Sequence, residues 1–333
     1  MTSHLDTSAR SLSAGLFDRT IPRGLVHRQS VSEVLITSLR RTGVRRCIAA
    51  SQWPRLHIFY GNPPGMIDSA LVAETLRQAT IVAAHRVAGV PLGEVMLMPG
   101  MTIHIRPGYR RSRECPTCVN VELEFTSLDH SRTGAVTSFA VAATFSADGV
   151  EFATGTTGAR VVPAGTYQRM RGNSRPAIGR RPGPVLSREQ VGQPFDCSVT
   201  IGPEDGDGRW PLRPEPGSPT LYDHGLDHIP GMIQIEAVRQ SLRAKTSSPA
   251  LDFVSFDASF LKFIEPADEA FVVLTGFAMA SPDEGTAAAE IRSRGEMCMK
   301  SAVRFKSGSS EPTPADAAQQ SSPASEGLCP VPA

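Results

Sequence analysis

The same three polar residues recur on two otherwise apolar helices of this chain, and this repeat limits the possible folds more than any other feature. The pattern E-x-x-R-Q lies in a helix predicted from Ser69 to Ala88 and again in a helix predicted to start near Pro230. The second set follows the first by 162 residues and consists of these pairs: Glu74 and Glu236, Arg77 and Arg239, Gln78 and Gln240. Positions i, i+3 and i+4 share one face of a helix, so each helix bears one polar stripe. The chain therefore contains two related halves.

The residues around each stripe predict a buried helix that packs on antiparallel strands. The first helix is apolar on nearly all sides, with Asp68 as a suitable N-cap and Gly89 at its end. The second helix is predicted over 230–244. Alternating or β-rich stretches follow the two helices: 119–125, 136–145, 150–162, 251–264, 270–274, 287–292 and 297–305. A buried helix followed by several long strands, occurring twice, predicts an α+β fold and not a parallel α/β sheet.

The composition along the chain divides it into two folded segments, 21–171 and 194–306. The intervening residues 172–193 are rich in Gly, Pro and Arg and are predicted to be a linker. Residues 1–20 are polar and predicted to be mobile. Residues 307–333 are rich in Ser, Pro and Ala and predict a disordered tail, because such a segment cannot bury a core.

Charge and hydropathy argue against several classes of partner. The 34 Lys and Arg residues nearly balance the 33 Asp and Glu residues, which argues against nucleic acid or a polybasic membrane contact. No run of 18 apolar residues occurs, and the N-terminus has no apolar signal-peptide core. We therefore expect a cytoplasmic protein with no membrane partner.

The six cysteines predict free thiols, because disulfide frameworks belong to short secreted chains. Cys115 and Cys118 have CxxC spacing, but no second pair or paired histidines complete a zinc site, so two plain thiols at a strand edge are favoured. Nucleotide-binding glycine motifs and the serine-hydrolase elbow are also missing from the sequence. The sequence therefore predicts neither a metal nor a cofactor.

The polar stripes have two possible explanations. An exposed face with a Glu–Arg pair contributes only about 0.3–0.5 kcal/mol and needs no function. Recurrence of the same residue types on both helices favours the second explanation, a carboxylate beside a water-poor groove. Desolvation there would raise the pKa of Glu74 or Glu236 and make it a usable general base or acid.

Several segments give the chain a resemblance to the AfsA-like family, the A-factor biosynthesis proteins of actinomycetes. The matching segments are VHR (26–28), HIFY (57–60), LVAETLRQATIVAAH (71–85), GVPLG (89–93), YQRMRG (167–172) and DHIPGMIQIEAVRQ (227–240). The last segment also resembles the helix entry of hotdog 3-hydroxyacyl-carrier-protein dehydratases. The resemblance implies a double hotdog, in which two tandem domains each wrap a long helix in an antiparallel sheet.

The resemblance also implies an activity. The family joins a β-ketoacyl chain, delivered as a thioester on acyl carrier protein, to a hydroxyl of dihydroxyacetone phosphate. The product is a precursor of γ-butyrolactone or butenolide signals, so an acyltransferase is expected. Two alternatives share the fold: a hotdog dehydratase or thioesterase, and a non-catalytic regulator that binds an acyl ligand. The acyl chain length and the oligomeric state stay open.

Acyl transfer to an alcohol needs a base, donors for the thioester oxyanion and a tunnel for the acyl chain. Glu74 and Glu236 are the candidate carboxylates. By resemblance to hotdog dehydratases, His57 is the candidate histidine, with a plain hydrogen-bonded strand-end residue as the alternative. Gly231 lets a ligand approach the free N–H groups at the start of the second helix.

A phosphorylated substrate needs cations, and the planar guanidinium of Arg binds phosphate bidentately. Arg77 and Arg239 are the candidate phosphate ligands, and Gln78 and Gln240 lie on the same faces. His228, next to Asp227, either serves a site or caps the helix. Further candidates are Arg169 and Arg171, for which a solvated basic turn is the favoured interpretation.

The two halves are expected to differ in activity. A site that combines the loop of one half with the helix of the other would pair His57 with Glu236 and Ser218 with Glu74. Serine does not titrate near neutral pH, whereas histidine does. We therefore expect only the Glu236 site to be active.

Overall fold

The computed structural model describes residues 15–60, 66–112, 114–172, 174 and 183–307. The predictions of a mobile N-terminus and a disordered tail therefore fall mostly outside the described residues, and so does much of the predicted linker. The domain boundaries at 171 and 194 stay predictions.

Each half contains one long helix and a set of strands. The elements of the first half are β1 (Ile36–Arg41), β2 (Arg46–Trp53), α1 (Ser69–Ala83), β3 (Val95–Leu97), β4 (Gly100–Ile105), β5 (Thr117–His130), β6 (Val136–Ala147), β7 (Val150–Val162) and α2 (Ala164–Arg171). Those of the second half are β8 (Arg209–Pro211), α3 (Gly231–Thr246), β9 (Asp252–Phe260), β10 (Ala270–Met279), β11 (Glu284–Ser293) and β12 (Glu296–Lys306).

The twelve strands form one antiparallel sheet whose order repeats between the halves. The first half runs β1-β2-β5-β6-β7-β4, with β3 beside β7, and the second runs β9-β12-β11-β10-β8. In each half, the strand that precedes the long helix (β2 or β8) is followed in the sheet by the last three strands of that half. The next strand in the sheet is one that follows the helix in sequence, β4 or β9. The halves join where β4 pairs antiparallel with β9, for example at Ile103 and Phe256. This arrangement confirms the double hotdog.

Helix α1 begins and ends as its sequence predicts. The Asp68 carboxylate caps it by accepting hydrogen bonds from Ala70 N and Leu71 N. The helix continues as a π-helical turn over Ala84–Ala88, and Gly89 follows in the left-handed conformation at φ +78°. Every residue of α1 except Arg77 is buried. Its polar stripe is therefore not an exposed face.

Helix α3 starts one residue later than predicted, with Pro230 as its N-cap in an extended conformation. A Cβ at Gly231 would lie 2.6 Å from the Phe260 ring, so this glycine is needed for close packing of α3 on the end of β9. That packing is a structural reason for Gly231, and the approach of a ligand to this glycine stays a prediction.

The predicted strands all occur in the sheet, but five other strands, β1, β2, β3, β4 and β8, were not predicted. Among the described residues, no helix is long and apolar enough to cross a membrane.

Candidate active site

The glutamine of each polar stripe attaches its helix to the backbone of a preceding segment. Gln78 accepts a hydrogen bond from Leu35 N at 2.9 Å and donates one to Glu33 O at 2.8 Å. Gln240 accepts the equivalent bond from Thr200 N at 2.8 Å. Both side chains are completely buried and their polar atoms are used in these bonds. This corrects the expectation that Gln78 and Gln240 contact substrate.

The two stripe carboxylates are both buried, but they differ in one donor. Glu74 accepts hydrogen bonds from Arg77 Nε at 2.8 Å and lies 2.6 Å from Arg28 Nη2. In the second half, the position equivalent to Arg28 is occupied by Gln193. Gln193 donates its Nε2–H to Glu236 at 2.7 Å. Glu74 therefore has a second cation, Arg28, beside it, where Glu236 has the neutral amide of Gln193.

These cations determine the charge of Glu74. Burial acts to raise its pKa, but the guanidinium groups of Arg28 and Arg77 and their hydrogen bonds outweigh burial and lower the pKa to about 2. Glu74 is thus an anion near neutral pH. The expectation that desolvation makes Glu74 a general base is wrong.

The Glu236 side of the molecule is closed. The Arg239 guanidinium is only 1% exposed and binds Glu236 at 2.7 Å, Asp68 at 2.9 Å and Asp252 at 3.2 Å. Asp68 comes from the first half, so this cluster joins the halves. Because three carboxylates surround Arg239, the prediction that it binds phosphate is corrected to a structural role.

The Glu74 side instead opens into a cavity of about 1010 Å³ whose wall includes residues of α1 and α3. Arg77 is 19% exposed and faces it. Polar residues of the wall include Arg28, Tyr60, Glu74, Arg77, Thr220 and His224. Apolar residues of the wall include Ile81, Met96, Met101, Phe139, Met232 and Phe260. The cavity can hold an apolar chain and a polar head, and methionine side chains adapt readily to chain shape.

The VHR segment brings His27 and Arg28 to this cavity. His27 has a left-handed backbone conformation (φ +52°), which turns the chain between the two side chains. His27 Nε2 lies 3.0 Å from His85 Nε2. Burial and the neighbouring His85, Arg77 and His224 lower the pKa of His27 to about 4.

His57 lies near Glu74 and not at Glu236. Its Nδ1 accepts a hydrogen bond from Phe59 N at 3.1 Å, and its Nε2 lies 3.6 Å from Glu33 Oε1. Burial lowers the pKa of His57, whereas burial raises the pKa of Glu33 to about 7. The predicted pairing of His57 with Glu236 is therefore replaced by a His57–Glu33 pair.

The loop before α3 crosses to the first half, as the predicted pairing of Ser218 with Glu74 requires. Arg28 donates an N–H to Thr220 O at 3.1 Å. Ser218 itself is buried and accepts a hydrogen bond from Leu221 N. However, His224 and His228 of the same loop line the cavity. The Glu74 side is thus supplied with histidines of the second half as well as with His27, which the expected Ser218–Glu74 pairing did not include.

Helix α2 supports this loop. Arg171 binds Asp227 at 3.0 Å and Glu265 at 2.7 Å, and Tyr167 donates its O–H to Asp227 at 3.0 Å. Arg171 is therefore a partly buried residue that links α2 to this loop, and not a solvated turn. Arg169 is exposed and bonds to Thr166 of its own helix.

A buried acceptor without a partner lies in the first turn of α3. Gln234 donates its amide N–H to Ile229 O at 3.0 Å, which leaves Oε1 as the second polar atom of the side chain. That oxygen is buried and has no hydrogen-bond partner among the described residues. Because Gln234 also lines the cavity, a bound ligand with an N–H or O–H group would satisfy it.

Three residues that sequence reasoning had not selected belong to this site: Arg28, Asp227 and Gln234. Arg28 and Asp227 lie within the VHR and DHIPG segments, so weighing the charged residues of those segments would have found them. Gln234 had no sequence signal, because its role follows from an unpaired buried oxygen.

No group of three or more His, Cys, Asp or Glu side chains is placed to hold a metal ion within the described part of the chain. Cys115 and Cys118 form no disulfide with another described residue; Cys118 lies in β5 and Cys115 precedes that strand.

Comparisons with known proteins identify relatives of both halves. A family model described as the A-factor biosynthesis hotdog domain, AfsA, matches residues 13–163. A protein of Streptomyces virginiae named 2-oxo-3-(phosphooxy)propyl 3-oxoalkanoate synthase is 32% identical over 248 residues, which cover 74% of this chain and 84% of that protein. A Streptomyces coelicolor protein of the same name is 30% identical over 223 residues, which cover 66% of this chain and 71% of that protein. Among solved structures, an acyl-ACP thioesterase from Bacteroides thetaiotaomicron has a TM-score of 0.46 and 12% identity, covering 78% of this chain and 98% of that one.

Proposed function

Because the chain belongs to the AfsA family of A-factor biosynthesis hotdog proteins, we propose that it transfers the acyl group of a β-ketoacyl thioester to the hydroxyl of dihydroxyacetone phosphate. The name of the two relatives describes an ester of these components: a 3-oxoalkanoate joined to a 2-oxo-3-(phosphooxy)propyl group. The reaction releases a thiol. Its product is a precursor of a γ-butyrolactone or butenolide signal.

The cavity on the Glu74 side is the observation that supports this function most strongly. Its apolar wall suits a fatty acyl chain, and its polar wall suits a phosphorylated three-carbon head. Beside Glu236, among the described residues, the Arg239 guanidinium is instead enclosed by three carboxylates. One site, on the Glu74 side, is therefore proposed.

Arg77 is the proposed phosphate ligand. Two of its guanidinium nitrogens bond to Glu74, at 2.8 Å each, which fixes the plane of the group. The remaining edge of the guanidinium is the part that can approach a phosphate in the cavity. In this account Glu74 orients Arg77 and Arg28 and takes no proton, and Glu236 belongs to the structural cluster that joins the halves.

Acyl carrier protein is the proposed donor of the acyl chain. We expect the acyl chain to enter the apolar part of the cavity, while the thioester group lies near the start of α3. The N–H groups there are not capped by a side chain, so they can stabilise the thioester oxyanion.

The direct test is to incubate the purified full chain with the N-acetylcysteamine thioester of 3-oxooctanoate and dihydroxyacetone phosphate. Liquid chromatography with mass spectrometry should then detect the phosphorylated keto ester. Arg77→Met should abolish most of this product. Arg46→Met is the matched control, because Arg46 pairs with Glu124 on the exposed surface. Release of free 3-oxooctanoate at the same rate with and without dihydroxyacetone phosphate would instead indicate a thioesterase.

A further inference from the structure

The loop before α3 contains a hydrogen-bonded pair, His228 and Asp227, at the wall of the cavity. His228 Nδ1 lies 2.7 Å from Asp227 Oδ1. Asp227 also accepts hydrogen bonds from Tyr167 and Arg171, at 3.0 Å each. Burial acts to raise the pKa of Asp227, but these hydrogen bonds lower it, so the carboxylate is ionised. An ionised carboxylate only accepts hydrogen bonds, and Nδ1 of His228 must therefore hold the hydrogen.

This bond fixes the tautomer of a neutral His228. With its proton on Nδ1, the ring has a lone pair on Nε2 that can accept another proton. His228 lines the cavity, and among the described residues no hydrogen bond to its Nε2 is found. The ring also packs edge-on against Phe263, with centroids 4.9 Å apart, which restricts its rotation. His228 thus presents an oriented basic nitrogen.

Two features next to His228 indicate that the substrate reacts here. The uncapped N-terminus of α3 follows within three residues, and Gly231 and Met232 of that terminus also line the cavity. One turn further along α3 lies Gln234, whose buried Oε1 has no hydrogen-bond partner among the described residues and can accept a hydrogen bond from a ligand. The second feature is independent of the helix terminus.

We propose that His228, oriented by Asp227, is the general base of the acyl transfer. This inference rests on the proposed function. Nε2 of His228 removes the proton from the hydroxyl of dihydroxyacetone phosphate while that oxygen forms a bond to the thioester carbonyl carbon. When the tetrahedral intermediate collapses, the C–S bond breaks and His228 returns the proton to the departing sulfur. The products are the keto ester and a free thiol, so no further reactant is needed.

The other candidate bases on this side are less suited. Glu74 is held as an anion by two arginines, and His27 shares its Nε2 contact with His85. His224 is also paired with a carboxylate, but its distance to Asp223 is 3.3 Å, and that carboxylate already binds the backbone of the first half.

The charged and titratable groups around His228 come from three elements. They are Asp227 of its own loop, Tyr167 and Arg171 of α2, and Lys262 and Glu265 after β9. Arg171 and Lys262 are paired with carboxylates, at Glu265 and Glu296. Among the charged and titratable groups of the described residues, Asp227 is the one that hydrogen-bonds to the His228 ring, so His228 and Asp227 should be changed separately.

The test uses ester formation from 3-oxooctanoyl-N-acetylcysteamine and dihydroxyacetone phosphate, measured as kcat and KM together with the melting temperature. His228→Asn should keep a donor for Asp227 and lower kcat by about 10²–10⁴, with the melting temperature unchanged. His130→Asn is the matched control, because His130 is exposed at the end of β5. Asp227 is a positioning residue, so Asp227→Asn should lower kcat by at least about tenfold and leave KM for dihydroxyacetone phosphate unchanged.

The outcomes separate this inference from the function on which it rests. If the wild-type protein forms no ester, the proposed function fails. If the wild type forms the ester and His228→Asn does so at the same kcat, the function stands and the inference is overturned. Loss of kcat in His224→Asn with full activity in His228→Asn would also overturn it and assign the base to the other histidine of the loop.

Discussion

Replacing Glu74 with Gln decides whether this buried carboxylate is a fixed anion or a titrating base. The structure lowers its pKa from the ordinary 4.5 to about 2, which corresponds to about 3 kcal/mol of stabilisation near neutral pH. Glu74→Gln also leaves Arg28 and Arg77 partly buried without their anion. Breaking a buried ion pair in this way costs about 3–5 kcal/mol. We therefore expect the free energy of unfolding at pH 7 to fall by about 3–5 kcal/mol.

The pH dependence of this loss has a definite sign. Because the pKa is lowered in the folded protein, the stabilisation is fully present above about pH 4.5 and is lost as the pH falls towards 2. The difference in unfolding free energy between wild type and variant should therefore shrink across this range. Urea unfolding followed by tryptophan fluorescence at several pH values between 7 and 3 measures it.

Glu124→Gln is the matched control, since Glu124 also pairs with an arginine, Arg46, at 3.0 Å, but on the surface. Its effect should stay below about 1 kcal/mol. If the stability of the wild type relative to Glu74→Gln fell as the pH rose from 4.5 to 7, the pKa of Glu74 would be raised. Glu74 would then be a candidate base, and our reasoning about its two arginines would be refuted.

Three further predictions concern the two sides of the molecule. Arg77→Lys should raise KM for dihydroxyacetone phosphate by roughly 5–150-fold in steady-state kinetics, which corresponds to a loss of about 1–3 kcal/mol of binding free energy, because Lys lacks the planar guanidinium. An unchanged KM would mean that the phosphate binds elsewhere. Glu236→Gln should lower unfolding free energy by about 1–3 kcal/mol yet leave kcat per folded molecule within about threefold, so a large loss of kcat in the folded variant would move the active site to Glu236. Gly231→Ala should lower the free energy of unfolding by about 1–3 kcal/mol, because its Cβ would meet the Phe260 ring. Gly24→Ala, with open space around Gly24, should lower it by less than about 0.5 kcal/mol, so equal melting temperatures of the two variants would contradict the packing argument.

The repeated helix stripe predicted the double fold because its spacing is a local property of the sequence. Helix α1 is apolar outside its polar stripe and is capped by Asp68, so its limits follow from residues in the helix and next to it. The strands with long alternating patterns, such as β5, were equally visible. Strands β3 and β8 are only three residues long, and their place in the sheet depends on pairing with distant partners. Sequence patterns of that length do not specify a strand.

The candidate site was predicted less well, because its asymmetry depends on residues far from the repeat. The stripes of the two helices are identical in sequence, yet Arg28 supplies a cation to Glu74 where Gln193 supplies an amide to Glu236. The burial of Arg239 depends on Asp68 and Asp252, which only the folded chain brings together. The repeat therefore predicted both carboxylates, but it did not show that a cavity opens beside Glu74.

The central claim is that acyl transfer takes place in the cavity between α1 and α3 and not beside Glu236. A crystal structure of the full chain with dihydroxyacetone phosphate and an unreactive ketone analogue of the thioester, in which a methylene replaces the sulfur, tests this most directly. We expect the phosphate to contact Arg77 and the acyl chain to pack against Met96 and Met101. The ketone carbonyl should lie near the start of α3. Either ligand bound on the Arg239 side, or a phosphate without contact to Arg77, would contradict it.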